Sequence, residues 1–214
     1  MTQKAKIEFI INELNSLYPE AKCSLNYTKP YELLIATRLS AQCTDERVNK
    51  VTPALFDKYK SLEEFANADF EDVCKLVKSC GFYRGKAKSI IEMSNQILND
   101  FNGNLPDTIE DLTKLSGVGR KTANLICGDI FNKPAIIADT HCIRLSNRLG
   151  LVKNSTNPEM VEKTLKRIIP SQHQTKLCHN FVHHGRAVCS ARTPQCDSCS
   201  LNTVCSFFNK GKRK

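Results

Sequence analysis

The chain has 214 residues, 41% of them hydrophobic, enough for one large domain or two small ones with an apolar core that needs no disulfides. Lys and Arg outnumber Asp and Glu by 31 to 22, a formal net charge of +9, which points to a polyanionic partner, nucleic acid before membrane. The opening residues mix charge with helical periodicity and no later stretch approaches membrane-spanning length, so a signal peptide and a transmembrane segment are not expected and a reducing cytoplasm is.

Helical spacing runs almost throughout. Ile7, Ile10, Ile11, Leu14 and Leu17 form a first apolar stripe, and Leu33, Leu34 and Ala36 a shorter one after Pro30. Thr44 followed by Glu46 and Arg47 predicts a helix start that leads into Val48, Val51, Leu55 and Tyr59. Residues 60–72 are acidic. The longest stripe joins Ala87, Ile90, Ile91, Ile97, Leu98 and Phe101. Ala135–Ala138 is too short to found a sheet, and Asn157-Pro158 puts proline in the first turn of a late helix that carries Val161, Leu165 and Ile168. The fold class is therefore all-α, with many short helices. The basic tail of Lys210, Lys212, Arg213 and Lys214 reads as a solvated end.

Residues 112–127 predict a hairpin. Leu112–Leu115 closes one helix, Ser116-Gly-Val-Gly119 turns, and Arg120 opens another with Ala123, Ile126 and Cys127 facing inward. Gly117 and Gly119 let the backbone take positive φ and let a phosphate approach the N–H groups of a helix start. With Arg120-Lys121-Thr122 following, this is a candidate DNA-binding helix-hairpin-helix.

Eleven cysteines are many for a cytoplasmic protein. Cys23, Cys43, Cys74, Cys80, Cys127, Cys142 and Cys178 are scattered and read as small buried hydrophobes. The other four, Cys189, Cys196, Cys199 and Cys205, fall within seventeen residues in the order Cys-x6-Cys-x2-Cys-x5-Cys. The two-residue gap brings two thiolates to adjacent corners of one site, and the longer gaps can wrap round to supply the others. Thiolate is a soft ligand, so zinc and an iron–sulfur cluster are the candidates; the lack of a second two-residue gap favours the cluster. His179, His183 and His184 have helical spacing but no HExxH frame, so a solvated or core-satisfied face is expected there.

Leu115-Ser-Gly-Val-Gly-Arg-Lys-Thr-Ala-Asn124, Ala138-Asp-Thr-His141 and the four-cysteine run together resemble the endonuclease III family, the bifunctional DNA glycosylase/AP lyases of the helix-hairpin-helix superfamily. Leu34–Asp45 and Gly81-Phe-Tyr83 also look like family segments, so the likeness spans nearly the whole chain. The family pattern has proline where Ser116 stands and an aliphatic residue near Arg38; the first difference is expected to loosen the hairpin slightly. The resemblance implies two lobes: residues 22–134 as a six-helix barrel bearing the hairpin, and residues 1–21 with 135–214 as a helical lobe carrying a [4Fe–4S] cluster on the four cysteines. It implies removal of oxidised pyrimidines from damaged double-stranded DNA, followed by β-elimination, by a monomer associated with the nucleoid.

Lys121 is by resemblance the nucleophile and Asp139 its carboxylate partner. An amine that attacks C1′ can stay attached as a Schiff base, and a carboxylate can stabilise positive charge on the sugar. Taken alone, a lysine beside such a hairpin is a phosphate contact and Asp139 a helix N-cap. Gln42 matches the family residue that enters the vacated base stack, and Phe82 stands where the family places an apolar wedge. Arg186 and Arg192, before and within the first cysteine loop, are candidate phosphate contacts. Two rivals keep parts of this pattern: a monofunctional adenine-type glycosylase would lack Lys121, and a non-catalytic helix-hairpin-helix module would need neither lysine, aspartate nor cluster.

Overall fold

The computed structural model describes residues 1–211; Lys212, Arg213 and Lys214 of the basic tail lie outside them, as does the side chain of Lys210. Every regular element among the described residues is helical, as the periodicity predicts. None of those helices is long and apolar enough to cross a membrane. The chain divides into two compact units, Cys23–Asn132 and the combination of Met1–Lys22 with Lys133–Lys214.

Helix α1 (Gln3–Leu17) opens the chain. The Cys23–Asn132 unit follows, with α2 (Pro30–Ser40), α3 (Asp45–Lys58), α4 (Leu62–Ala66), α5 (Phe70–Val77), α6 (Tyr83–Asp100), α7 (Ile109–Leu112) and α8 (Arg120–Asp129). Four of these starts are closed by a side chain at the N-cap. Thr44 accepts from the Arg47 N–H, Ser61 from Glu64, Asp69 from Asp72 and Thr108 from Asp111. This is what the acidic run is for: Glu63, Glu64, Glu71 and Asp72 fill the first turns of α4 and α5, where the helix dipole favours negative charge. Phe65 is fully buried with Tyr31, Phe56 and Tyr59 round its ring, a burial that contributes roughly 2–3 kcal/mol.

Helix α6 buries Ala87, Ile90, Met93 and Ile97, whereas Ile91, Leu98 and Phe101, expected in the same stripe, are half-buried. Its unexpected core member is Lys86, 2% exposed. A buried ammonium needs acceptors, and this one donates to the carbonyls of Leu39 and Cys80, both at 2.8 Å.

The other unit holds α1, α9 (Thr140–Leu149), α10 (Pro158–Ile168), α11 (Gln174–Ala187) and α12 (Ser206–Gly211), with α1 and α9 both packed on α11. The α1 stripe ends at Leu14; Leu17 is 45% exposed. Residues 135–138 are buried without strand pairing, and the Ile137 N–H donates to Cys178 Sγ at 3.3 Å. All eleven cysteines are free. Those expected to be scattered include two pairs of neighbouring thiols, Cys43 with Cys80 and Cys142 with Cys178, and Cys23 and Cys43 are half-buried rather than buried.

Candidate functional site

The hairpin forms between α7 and α8. The first helix stops at Leu112, three residues earlier than the sequence suggests, and Leu115 and Val118 anchor the turn in the core. Its two glycines act differently. Gly117 has φ +73°, and a methyl there would lie 2.5 Å from Arg38 Nε, 2.8 Å from Arg38 Cδ and 2.9 Å from Ser89 Oγ. Both the left-handed backbone and the close packing therefore demand glycine. Gly119 has φ −97° and no atom within reach of an added Cβ, so neither conformation nor packing requires glycine there; what it leaves is open space at the start of α8. As the N-cap of α8 it contributes no side-chain hydrogen bond, unlike the caps of α3, α4, α5 and α7. First-turn N–H groups without such a cap can serve an anion. Arg120 and Lys121 are exposed in that turn.

Ser116 does not loosen this turn. Its N–H donates to Gln96 Oε1 and its hydroxyl to Glu92 Oε2, both at 2.7 Å, while Gln96 Nε2 donates to the Lys114 carbonyl at 3.2 Å. A proline has no N–H to donate, so these ties to α6 are available to serine and closed to proline.

Gln42 and Phe82 share an unusual geometry. Both are exposed, and both sit at positive φ, +55° and +46°, a conformation that costs a non-glycine residue of order 1–3 kcal/mol. Phe82 is 74% exposed, which excludes a core anchor, and the Gln42 amide makes no hydrogen bond among the described residues. The two loops are joined beneath: Lys86 grips the carbonyls of Leu39 and Cys80, three and two residues before them, and the Cys43 and Cys80 thiols are neighbours. Burial and the neighbouring Cys43 thiol push the Cys80 thiol up to about 11, so it stays protonated at neutral pH.

Lys121 belongs to the Cys23–Asn132 unit and Asp139 to the other. Asp139 is half-buried as the N-cap of α9, one carboxylate oxygen accepting from the Cys142 N–H at 2.7 Å. That bond fixes the plane of the carboxylate.

The cysteine segment is organised by groups the sequence reading passed over. Cys189, Cys196, Cys199 and Cys205 all line one pocket, partly open to solvent, with Arg148, His184 and Phe207. Burial pushes the Cys196 and Cys199 thiols up, and the other cysteines of the set add to it, so the four sulfurs lie within electrostatic reach of one another. No three His, Cys, Asp or Glu side chains among the described residues are placed to hold a single metal ion. Arg148 of α9 donates to Cys189 Sγ at 3.2 Å, to the Ser190 carbonyl at 2.7 Å and to the Ala191 carbonyl at 2.8 Å, with its guanidinium 4.9 Å from the Phe207 ring centre. One turn earlier, Arg144 donates to the carbonyls of Cys189 and Gly185, both at 3.1 Å. His184, 2% exposed, meets Tyr18 Oη at 3.2 Å through Nδ1 and Cys199 Sγ at 3.5 Å through Nε2. The i, i+4 spacing of Arg144 and Arg148 was the available signal, since it aims both guanidiniums along one face of α9. Arg186 and Arg192 are exposed beside this segment.

Residues 35–171 match the family model of the HhH-GPD superfamily base excision DNA repair proteins. Endonuclease III of Synechocystis sp. is 45% identical over 205 residues, 95% of this chain and 93% of that protein. Endonuclease III of Bacillus subtilis is 40% identical over 214 residues, 100% of this chain and 98% of that one. Among solved structures, a trapped endonuclease III–DNA covalent intermediate superposes with a TM-score of 0.92 at 40% identity, all of each chain being covered. A thermostable thymine-DNA glycosylase shares the fold, with a TM-score of 0.87 at 21% identity over 96% of this chain and 98% of that one.

Proposed function

The chain belongs to the endonuclease III family of the HhH-GPD superfamily, and on that premise we propose which of its residues perform the excision and how. It is a base excision repair DNA glycosylase and AP lyase. Its substrates are oxidised pyrimidines in double-stranded DNA, and it works as a monomer on the nucleoid of a reducing cytoplasm, where cysteines stay out of disulfides.

Lys121 is the nucleophile. Its amine attacks C1′, the glycosidic bond breaks, and the base leaves with the electron pair and takes up a proton. The Asp139 carboxylate, held by the Cys142 N–H, stabilises positive charge on the sugar. Ring opening leaves an iminium between Lys121 and C1′. Loss of a C2′ proton then expels the 3′ phosphate with the C3′–O electron pair, and water releases the amine. Gly117, Gly119 and Arg120 hold a backbone phosphate beside that amine, while Gln42 and Phe82 occupy the space of the flipped nucleotide. The observation that carries this reading is an exposed primary amine in the uncapped first turn of the helix that leaves the hairpin. Lys121→Ala is expected to lose borohydride-trapped covalent complex and at least 10³-fold of nicking on abasic duplex while still binding it. Trapping at the wild-type level removes Lys121 from the role.

Cys189, Cys196, Cys199 and Cys205 hold a [4Fe–4S] cluster. The pocket lined by all four thiols supports the fit, and four soft thiolates are the donor set such a cluster would take. When bound, the cluster supplies cross-linking of residues 189–205; Arg186 and Arg192 beside it meet DNA phosphates. A brown protein with four irons per chain is expected, and a colourless zinc protein overturns this assignment.

A further inference from the structure

Arg38 has no role so far, yet it is the residue packed under the hairpin. Its stem runs beneath Gly117, so close that a methyl on that glycine would collide with Cδ and Nε. Nε is covered and has no hydrogen-bond acceptor, and no carboxylate pairs with the guanidinium among the described residues. Lys86, whose own ammonium is engaged by two carbonyls, has the Arg38 charge as a neighbouring cation. An arginine in such a place is unusual. A covered guanidinium nitrogen without an acceptor costs stability, and an aliphatic side chain would fill the space under a glycine without that cost. The cost is recovered if an anion arrives on complex formation. The side chain is half-buried, with Nε covered, beside the turn whose open helix start binds phosphate in the functional reading.

We propose that Arg38 is an additional backbone-phosphate anchor for the DNA strand seated on the hairpin, reaching from α2 beneath Gly117. This rests on the assignment of the hairpin as a phosphate site. The anchor reads no sequence; it strengthens the seat and makes it more sensitive to salt than an aliphatic residue would.

The test is the salt dependence of binding to a short duplex carrying a stable abasic analogue. Arg38→Leu is expected to bind more weakly and to lower the slope of log K against log salt by about 0.9, one phosphate fewer. Between about 50 and 200 mM salt the wild type then loses roughly 3- to 4-fold more affinity than the variant. Arg38→Lys is expected to keep the wild-type slope. Arg38→Gln is expected to behave as the leucine variant does and replaces it if that one does not fold. An unchanged slope in the leucine or glutamine variant, whatever the melting temperature does, reduces Arg38 to a packing residue and overturns the proposal. If wild-type protein fails to nick abasic duplex, the failure belongs to the functional reading and not to Arg38.

Discussion

The hairpin region and the cysteine segment do comparable work by opposite means. Around the hairpin every support is made within the protein: Leu115 and Val118 are sunk in the core, Ser116 is tied to Glu92 and Gln96, and Lys86 joins the two loops of the exposed Gln42 and Phe82. From Cys189 to Cys205 the backbone has one short 3-10 turn, and its buried hydrophobics are few, chiefly Leu201 and Val204. Arginines and thiols fill the place of a core. A segment of that kind cannot bury enough apolar surface to offset its ordering entropy, so it depends on a cross-link. One region carries its rigidity in packing; the other, on the cluster assignment proposed above, would carry it in coordination.

The largest effect expected from breaking that contrast is at a ligand. Cys196→Ser should lose iron and visible absorbance. Hydrogen exchange should then quicken across 189–205 while residues 30–129 keep their protection. Uniform loss of protection across both units would mean that the hairpin region leans on the cluster too, and the contrast would fall.

Next in size is Lys86→Met. The methionine fits the volume but leaves the Leu39 and Cys80 carbonyls buried and unsatisfied, about 1–3 kcal/mol each, so stability should fall by roughly 2–6 kcal/mol. With Lys86 no longer joining the two loops, base release should slow more than β-elimination at a ready-made abasic site, which needs no base displaced. Equal slowing of both steps would show that Lys86 supports the fold without positioning Gln42 and Phe82.

These cases also mark how far the sequence could be read. Helix starts were legible because capping is local: Thr44 and Asn157 each announce a cap within four residues, and both act as one. The hairpin was legible because two glycines between apolar anchors have few other uses. Lys86 was not legible, since nothing local distinguishes a lysine held by two distant carbonyls from one in solvent. Arg148 was counted only as charge, because its hold on Cys189 spans 41 residues. Ser116 was misjudged because its partners lie on α6, 20 and 24 residues earlier. Caps and turns are written in neighbours, whereas polar ties across the fold depend on the folded chain.

The smallest expected effect lies on the acidic run, away from both regions, and sharpens the contrast by showing what an ordinary surface tie is worth. Asp72 accepts from the Lys58 ammonium and the Tyr59 hydroxyl, both at 2.6 Å, and these bonds hold its carboxyl below the usual carboxylate range. The folded value is depressed, so its contribution is fully present above the unfolded value near 3.9 and is lost as pH falls through the folded value. Asp72→Asn should therefore melt slightly below wild type at neutral pH, by no more than about 2 °C, because the group is only half-buried and solvent screens it. Below the folded value the two curves should meet. A gap that persists in strong acid would assign the loss to the geometry of the Tyr59 hydrogen bond rather than to the charge.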